Sequence, residues 1–155
     1  MNTQTLEPII RGHPFFDGVN PALIGLIVGC ARNARFEEGH ILFREGDPAD
    51  SFYLIRDGRV AVEAMIPQRG YTTVQTINAG EVVGWSWLLP PFKWHYDARV
   101  IKPVRAVVFD GKCLREQCEK NHDLGYEMLK RISQVIAGRL EATRLQLLDV
   151  YGANA

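Results

Sequence analysis

The residues of this chain that could do chemistry are spaced for recognition rather than for bond-making. The histidines His13, His40, His95 and His122 form no His-x-His pair. A small metal-dependent barrel enzyme needs such a pair, together with a carboxylate and a later histidine. Cys30, Cys113 and Cys118 are odd in number and lack Cys-x-x-Cys spacing, so neither a disulfide framework nor a cysteine-rich metal site is expected. No Ser-His-Asp or Cys-His set appears with its supporting motifs. His95 or a cysteine as a haem ligand would be a lone residue beside aromatics, which is usually structural. The chain therefore reads as a non-enzyme without a metal.

One segment is built differently. Residues 80–98, GEVVGWSWLLPPFKWHYDA, hold all three tryptophans, Trp85, Trp87 and Trp94, with Phe92 and Tyr96 among them. The aromatics stand two apart at both ends, and Pro90-Pro91 splits the run, so part of it should be extended. Lys93, His95 and Arg99 offer positive charge, and Asp97 opposes it. Strand alternation places Arg99 on the face of Asp97, opposite Tyr96 and Ala98. Such a cluster can hold a flat or apolar molecule, or it can fill its own core.

The elements that must position this segment change period along the chain. Residues 1–32 read as helical with interruptions: Asn20 is a good N-cap, Pro21 a good first helical residue, and Leu23, Ile24, Leu26, Ile27 and Cys30 form an apolar stripe reaching about Arg32. Residues 33–110 read as six or more short strands broken by Gly, Pro and Asp, the pattern of a sandwich or barrel. Within them Asp57-Gly58, between SFYLIR and RVAVEAM, predicts a tight hairpin. GKCLREQCEKN predicts a short helix within residues 111–150. A proline-free run over 123–150 predicts a helix of roughly 40 Å ending near Gly152. It carries two stripes: Leu124, Met128, Ile132 and Val135, then Ile136, Leu140, Thr143, Leu147 and Val150. Two stripes predict two partners, the chain's own barrel and a second copy of the helix.

Composition narrows the class. The chain has 155 residues, and its 18 basic and 18 acidic residues cancel. A generic nucleic-acid binder or a polybasic membrane-surface protein would show a basic surplus. No run approaches the roughly 20 apolar residues of a membrane span, and MNTQTLEPII is not a secretory signal. A cytoplasmic setting follows as the expectation, in line with the cysteine usage.

The order of the fixed residues carries a resemblance. EEGHILFREGDPADSFYLIRDGRVAVE, then INAGEVVG, then YDARVIKPVRAVVF, then the long helix, resembles the cyclic-nucleotide-binding domain of the Crp/Fnr superfamily. The matching positions are Gly39, Ile41, Phe43, Gly46, Asp47, Asp50, Tyr53, Ile55, Gly58, Val60, Val62, Gly80 and Glu81, and His13-Pro14-Phe15-Phe16 is similar to that domain's usual opening. The resemblance implies a mainly β fold with flanking helices: a double-stranded β-helix, or jelly-roll, barrel followed by a long C-terminal helix.

It also implies a site. In the family a short helix begins after the Gly-Glu pair and its N-terminus faces a cyclic phosphate, the glutamate accepts from a ribose hydroxyl, and an arginine pairs with the phosphate charge. Gly80-Glu81 is present and Ala98 and Val100 match the end of the motif, but Tyr96 stands where the arginine should be and Asp97 follows it. Thr143 matches a threonine that reaches the adenine in the catabolite activator protein, while Arg144 replaces the serine beside it. The expected ligand-binding set is thus Gly80, Glu81, Val82, Tyr96, Asp97 and Thr143, with Trp85, Trp87 and Lys93 as further candidates. Three readings stay open: a small effector other than ordinary cyclic AMP, a filled pocket serving as a structural or interaction module, and a cyclic nucleotide held weakly through altered contacts. The expected partners are a second copy through 123–150 and a regulated protein. Direct DNA binding is not expected, because no helix-turn-helix module fits in the five residues after Val150.

Overall fold

The computed structural model describes residues 3–153. The chain runs α1 (Thr3–Gly12), α2 (Pro21–Ile27), β1 (Ala31–Phe36), β2 (Ile41–Phe43), β3 (Ser51–Ile66), β4 (Gly70–Asn78), β5 (Val82–Val83), β6 (Asp97–Asp110), α3 (Gly111–Lys120) and α4 (His122–Ala153). This is the expected jelly-roll barrel with flanking helices and a long final helix. Asn20 caps α2 as anticipated, its Oδ1 accepting from the Ala22 N–H at 3.0 Å. The helix is shorter than the apolar stripe suggested. It ends at Ile27, one 3-10 turn follows, and β1 already begins at Ala31. α4 is longer than expected, running through Gly152 to Ala153.

The Asp57-Gly58 hairpin is corrected. β3 continues straight through it for 16 residues. β6 likewise runs through Lys102-Pro103 for 14 residues, antiparallel to β3. The two strands bend together, with register shifts on either side of Asp57. Each changes its outer partner at the bend. β3 pairs β5 through Tyr53 and Leu54 before it and β4 from Arg59 onward after it. β6 pairs β2 near Ala98 and Arg99, and β1 from Val104 to Phe109. That exchange curls one six-stranded sheet into a barrel. Asp-Gly supplies the positive φ, +94° at Gly58, as it would in a turn. The apolar runs that flank it find one shared partner strand instead of each other.

The first half of β3 is buried on both faces, which explains its unbroken apolar stretch. Phe52 and Leu54 point to a core shared with α1, α2, α3 and α4, beside Phe109, Leu114, Leu124, Met128 and Ile132. Tyr53 and Ile55 point into the barrel, beside Phe43, Val60, Val62, Val83, Trp94 and Val108. The first α4 stripe therefore packs on the chain's own body, as its spacing predicts. In the second stripe Leu140 and Leu147 are 69% and 54% exposed; the Val150 side chain lies outside the described set.

A second correction concerns the cysteines. Cys30, at the end of the 3-10 turn before β1, is bridged to Cys113 in the first turn of α3, with Cα atoms 5.6 Å apart. Cys118 is free. Absence of short spacing does not exclude one bridge between residues distant in sequence, and an odd count merely leaves one thiol over. Among the described residues no helix is long and apolar enough to cross a membrane.

His13 ties the N-terminal segment to the barrel. Its Nδ1 accepts from the Phe15 N–H at 3.1 Å, leaving Nε2–H to donate to the Ile55 carbonyl at 3.0 Å. Burial, with the Arg56 charge adding to it, holds its pKa below the ordinary 6.5 despite the opposing backbone hydrogen bond. The unfolded chain therefore takes up a proton that the fold resists. This stability is present above about pH 6.5 and is lost as pH falls toward the depressed folded pKa. Thermal melts from pH 7 to pH 5 should show a steeper loss in the wild type than in His13→Asn; parallel slopes would remove His13 as the source.

Candidate functional site

The β4–β5 turn is held by backbone. Gly80 N–H donates to the Ile55 carbonyl, and Ile55 N–H donates to the Glu81 carbonyl. The Glu81 carboxylate accepts from the Asn78 N–H at 2.9 Å, closing its own turn. After Val83 the segment goes into turns. No helix is found between β5 and β6, so the short helix that the resemblance implied, with its N-terminal anion site, is not formed here. Arg115 of α3 fastens the segment from below. Its guanidinium donates to the Trp87 carbonyl at 2.6 Å and lies 4.5 Å from the centre of the Phe92 ring.

The three tryptophans separate. Trp87 is fully buried in the helix-side core, 5.3 Å from the Phe52 ring, with its Nε1 unpaired. Trp94 is buried inside the barrel, stacked on Phe43 at 3.6 Å. Trp85 lines both the outer groove and the inward cavity, stacked with His95 at 5.2 Å.

Three adjoining cavities meet at one residue, Arg139 of α4. A groove of about 460 Å³ is lined by Pro14, Gly80, Glu81, Val82, Val135 and Arg139, among others. A second, of about 340 Å³, is lined by Gln75, Trp85, Tyr96, Arg139, Leu140 and Thr143, among others. A third, of about 30 Å³, leads inward past Gly84 to Phe43 and Trp94. The Arg139 guanidinium donates to the Val82 carbonyl and has no carboxylate within ion-pair distance among the described residues. Desolvation lowers its pKa, with the Glu81 charge acting against that; it remains a cation at neutral pH.

The structure thus gathers Gly80, Glu81, Val82, Trp85, Tyr96 and Thr143 along one continuous wall. Tyr96 is 41% exposed there, and the Thr143 hydroxyl donates back to the Arg139 carbonyl at 3.0 Å. The other three expected residues lie elsewhere. Asp97 is buried and accepts from the Glu45 N–H at 2.7 Å, with the Arg44 guanidinium 3.6 Å away. Its charge is answered within the protein. Lys93 sits on an exposed bridge to Pro48, and Trp87 belongs to the core. Arg99 is held bidentately by Glu63 at 3.0 and 3.1 Å, away from the cavities. Arg139 was missed from the sequence. It lies four residues before Thr143, hence on the same helix face, and that spacing was the available signal.

Comparison with known proteins agrees with this architecture. The chain is 26% identical over 145 residues to a CRP-like cAMP-activated global transcriptional regulator of Mycobacterium tuberculosis, covering 94% of this chain and 63% of that protein. A cyclic nucleotide-binding protein of Geobacter metallireducens superposes with a TM-score of 0.77 at 26% identity, covering 90% of this chain and 98% of the other. A cyclic nucleotide-binding domain of Methylobacillus flagellatus superposes at 0.78 with 20% identity, over 95% and 83% of the two chains, and so shares the fold. The family model described as the cyclic nucleotide-binding domain matches residues 34–121, from within β1 to the end of α3, stopping short of the helix that carries Arg139 and Thr143. With more than half its length matched and a barrel of the same order, this chain belongs to the cyclic nucleotide-binding domain family.

Proposed function

We propose that the chain is a ligand-sensing regulatory domain that takes a small anionic effector between segment 80–98 and α4, and that this effector is not cyclic AMP held in the family's usual way. The observation that carries the reading is Arg139: a partly desolvated guanidinium without a carboxylate partner among the described residues, reaching from α4 to the β5 backbone at the junction of the cavities. An anion bound there would bridge α4 to the barrel, so its occupancy would bias how the helix packs. The same helix is the proposed route out. Tyr126, Leu129, Ile136, Leu140, Thr143 and Leu147 fall at alternating three- and four-residue intervals once Ser133 is counted in, the spacing of a two-stranded seam. A homodimer through this seam would place the groove beside the interface, where a partner protein could read it.

Isothermal titration against cyclic AMP, cyclic GMP and a panel of phosphorylated and carboxylated metabolites tests the site. Cyclic nucleotides should bind no tighter than about micromolar, some −8 kcal/mol, and Arg139→Gln should weaken any anionic ligand by about ten- to a hundredfold. Nanomolar cyclic AMP binding, or an Arg139→Gln protein that binds as the wild type does, would refute the reading. The seam is tested by sedimentation, which should give twice 17.5 kDa, with Leu140→Lys returning the protein to a monomer. A wild type that stays monomeric at high concentration would remove the seam.

A further inference from the structure

The inward cavity carries an inference that rests on the reading of the groove above. The Trp94 and Phe43 rings are 3.6 Å apart and 8° from parallel. The pair closes the inner end of the cavity, filling the barrel beside Phe43 with protein. The barrel backbone is shaped for the indole. Gly84 adopts φ +97°, and a Cβ there would come within 2.7 Å of the Trp94 ring. The Trp94 backbone is fixed on both sides: its N–H donates to the Asp47 carbonyl at 3.0 Å, and its carbonyl accepts from Gly46 N–H at 2.8 Å. What remains beside it is about 30 Å³, room for little more than one water. The surrounding barrel residues, Phe43, Tyr53, Val62 and Val83, are uncharged, so an anionic group has no partner inside and stays with Arg139 at the mouth.

We propose that Trp94 is the specificity-determining residue of this site: a built-in stopper whose indole fills the barrel behind the groove, so that the protein admits compact anions in the outer groove and rejects ligands that must bury a flat ring inside the barrel. Because its backbone is fixed to the loop before β3, the stopper is part of the fold and is not displaced by a competing ring.

The test uses indole, which is flat and uncharged, and cyclic AMP, which joins a ring to an anion. Wild-type protein should show no movement of the Trp94 indole N–H resonance with either probe at millimolar concentration. Trp94→Ala should bind indole, its melting temperature rising by about 5 °C near saturation, and should bind cyclic AMP at least about tenfold more tightly than the wild type. Trp94→Leu, which opens less space, serves if the alanine variant does not fold, and should show the indole effect in reduced form. A wild-type Trp94 resonance that shifts on adding either probe, or folded variants that bind no ring, would overturn the stopper. Indole binding does not involve Arg139. Its failure strikes the stopper alone, whereas a cyclic AMP gain that survives in the Trp94→Ala, Arg139→Gln double variant strikes the assignment of the groove.

Discussion

Reducing the Cys30–Cys113 bridge is expected to lower the melting temperature of this domain by more than 10 °C. The two cysteines are 83 residues apart in sequence, and closing a loop of that length removes enough unfolded-chain entropy to contribute about 4.5 kcal/mol. A domain of this size has a total stability on the order of 5–15 kcal/mol, so the bridge is a large share of it. Placement adds to the argument. Cys30 ends the N-terminal helical segment, and Cys113 begins the helix that leads into α4, so the bridge holds together the two helical parts on either side of the barrel strands. Cys118 does not compete for exchange. Burial, with Glu119 nearby, pushes its thiol up to about 11, and little thiolate exists at neutral pH. Calorimetry with and without dithiothreitol, beside the double variant Cys30→Ser, Cys113→Ser, checks the expectation. Reduced wild type and double variant should melt together, well below the oxidised protein, while Cys118→Ser should melt with the wild type. An oxidised and a reduced protein of equal stability would refute it.

What the sequence showed of the fold, and what it hid, follows from the range of the interactions. Asn20, the apolar runs of the barrel and the first α4 stripe were legible because each acts through neighbours a few residues away. The bend at Gly58 was misread because a hairpin and a bent strand make the same local demand, a positive φ flanked by apolar runs, and only the shared partner β6 distinguishes them. The disulfide was hidden for the same reason: nothing local marks a bridge across 83 residues. Gly80, Glu81, Tyr96 and Thr143, expected from an ordered motif, do lie along the cavity walls. The fates of the three tryptophans were not legible, since composition cannot say which face of the segment meets the helix-side core, which the barrel and which the cavity. Asp97 illustrates the limit most clearly. A carboxylate beside an expected anion site reads as repulsive until the Glu45 amide and Arg44 are seen to answer it.

Replacing Gly58 with alanine is expected to be the most damaging single change, costing more than about 4 kcal/mol. Two effects combine. With φ at +94°, any L side chain is strained, a conformational cost of about 1–2 kcal/mol. A Cβ would also stand 2.1 Å from the Pro103 carbonyl oxygen and 2.8 Å from that of Lys102. Both atoms are backbone and cannot swing aside, so β3 and β6 would have to part where they bend together. Gly39 separates the two effects: its φ is +89°, yet nothing lies within 4 Å of a Cβ built there. Gly39→Ala should therefore lose only the conformational part, and the difference between the two variants measures the close approach. The consequence reaches the site. Beyond the bend, β6 begins at Asp97 and pairs Ala98 with Val62, and Val62 and Tyr96 line the outer groove together. A Gly58→Ala protein that folds should thus also show altered Trp85 emission, while Gly39→Ala should not. Equal melting temperatures for the two variants would mean that the strands can separate at the bend without cost, and the account of how the barrel positions its groove would have to be abandoned.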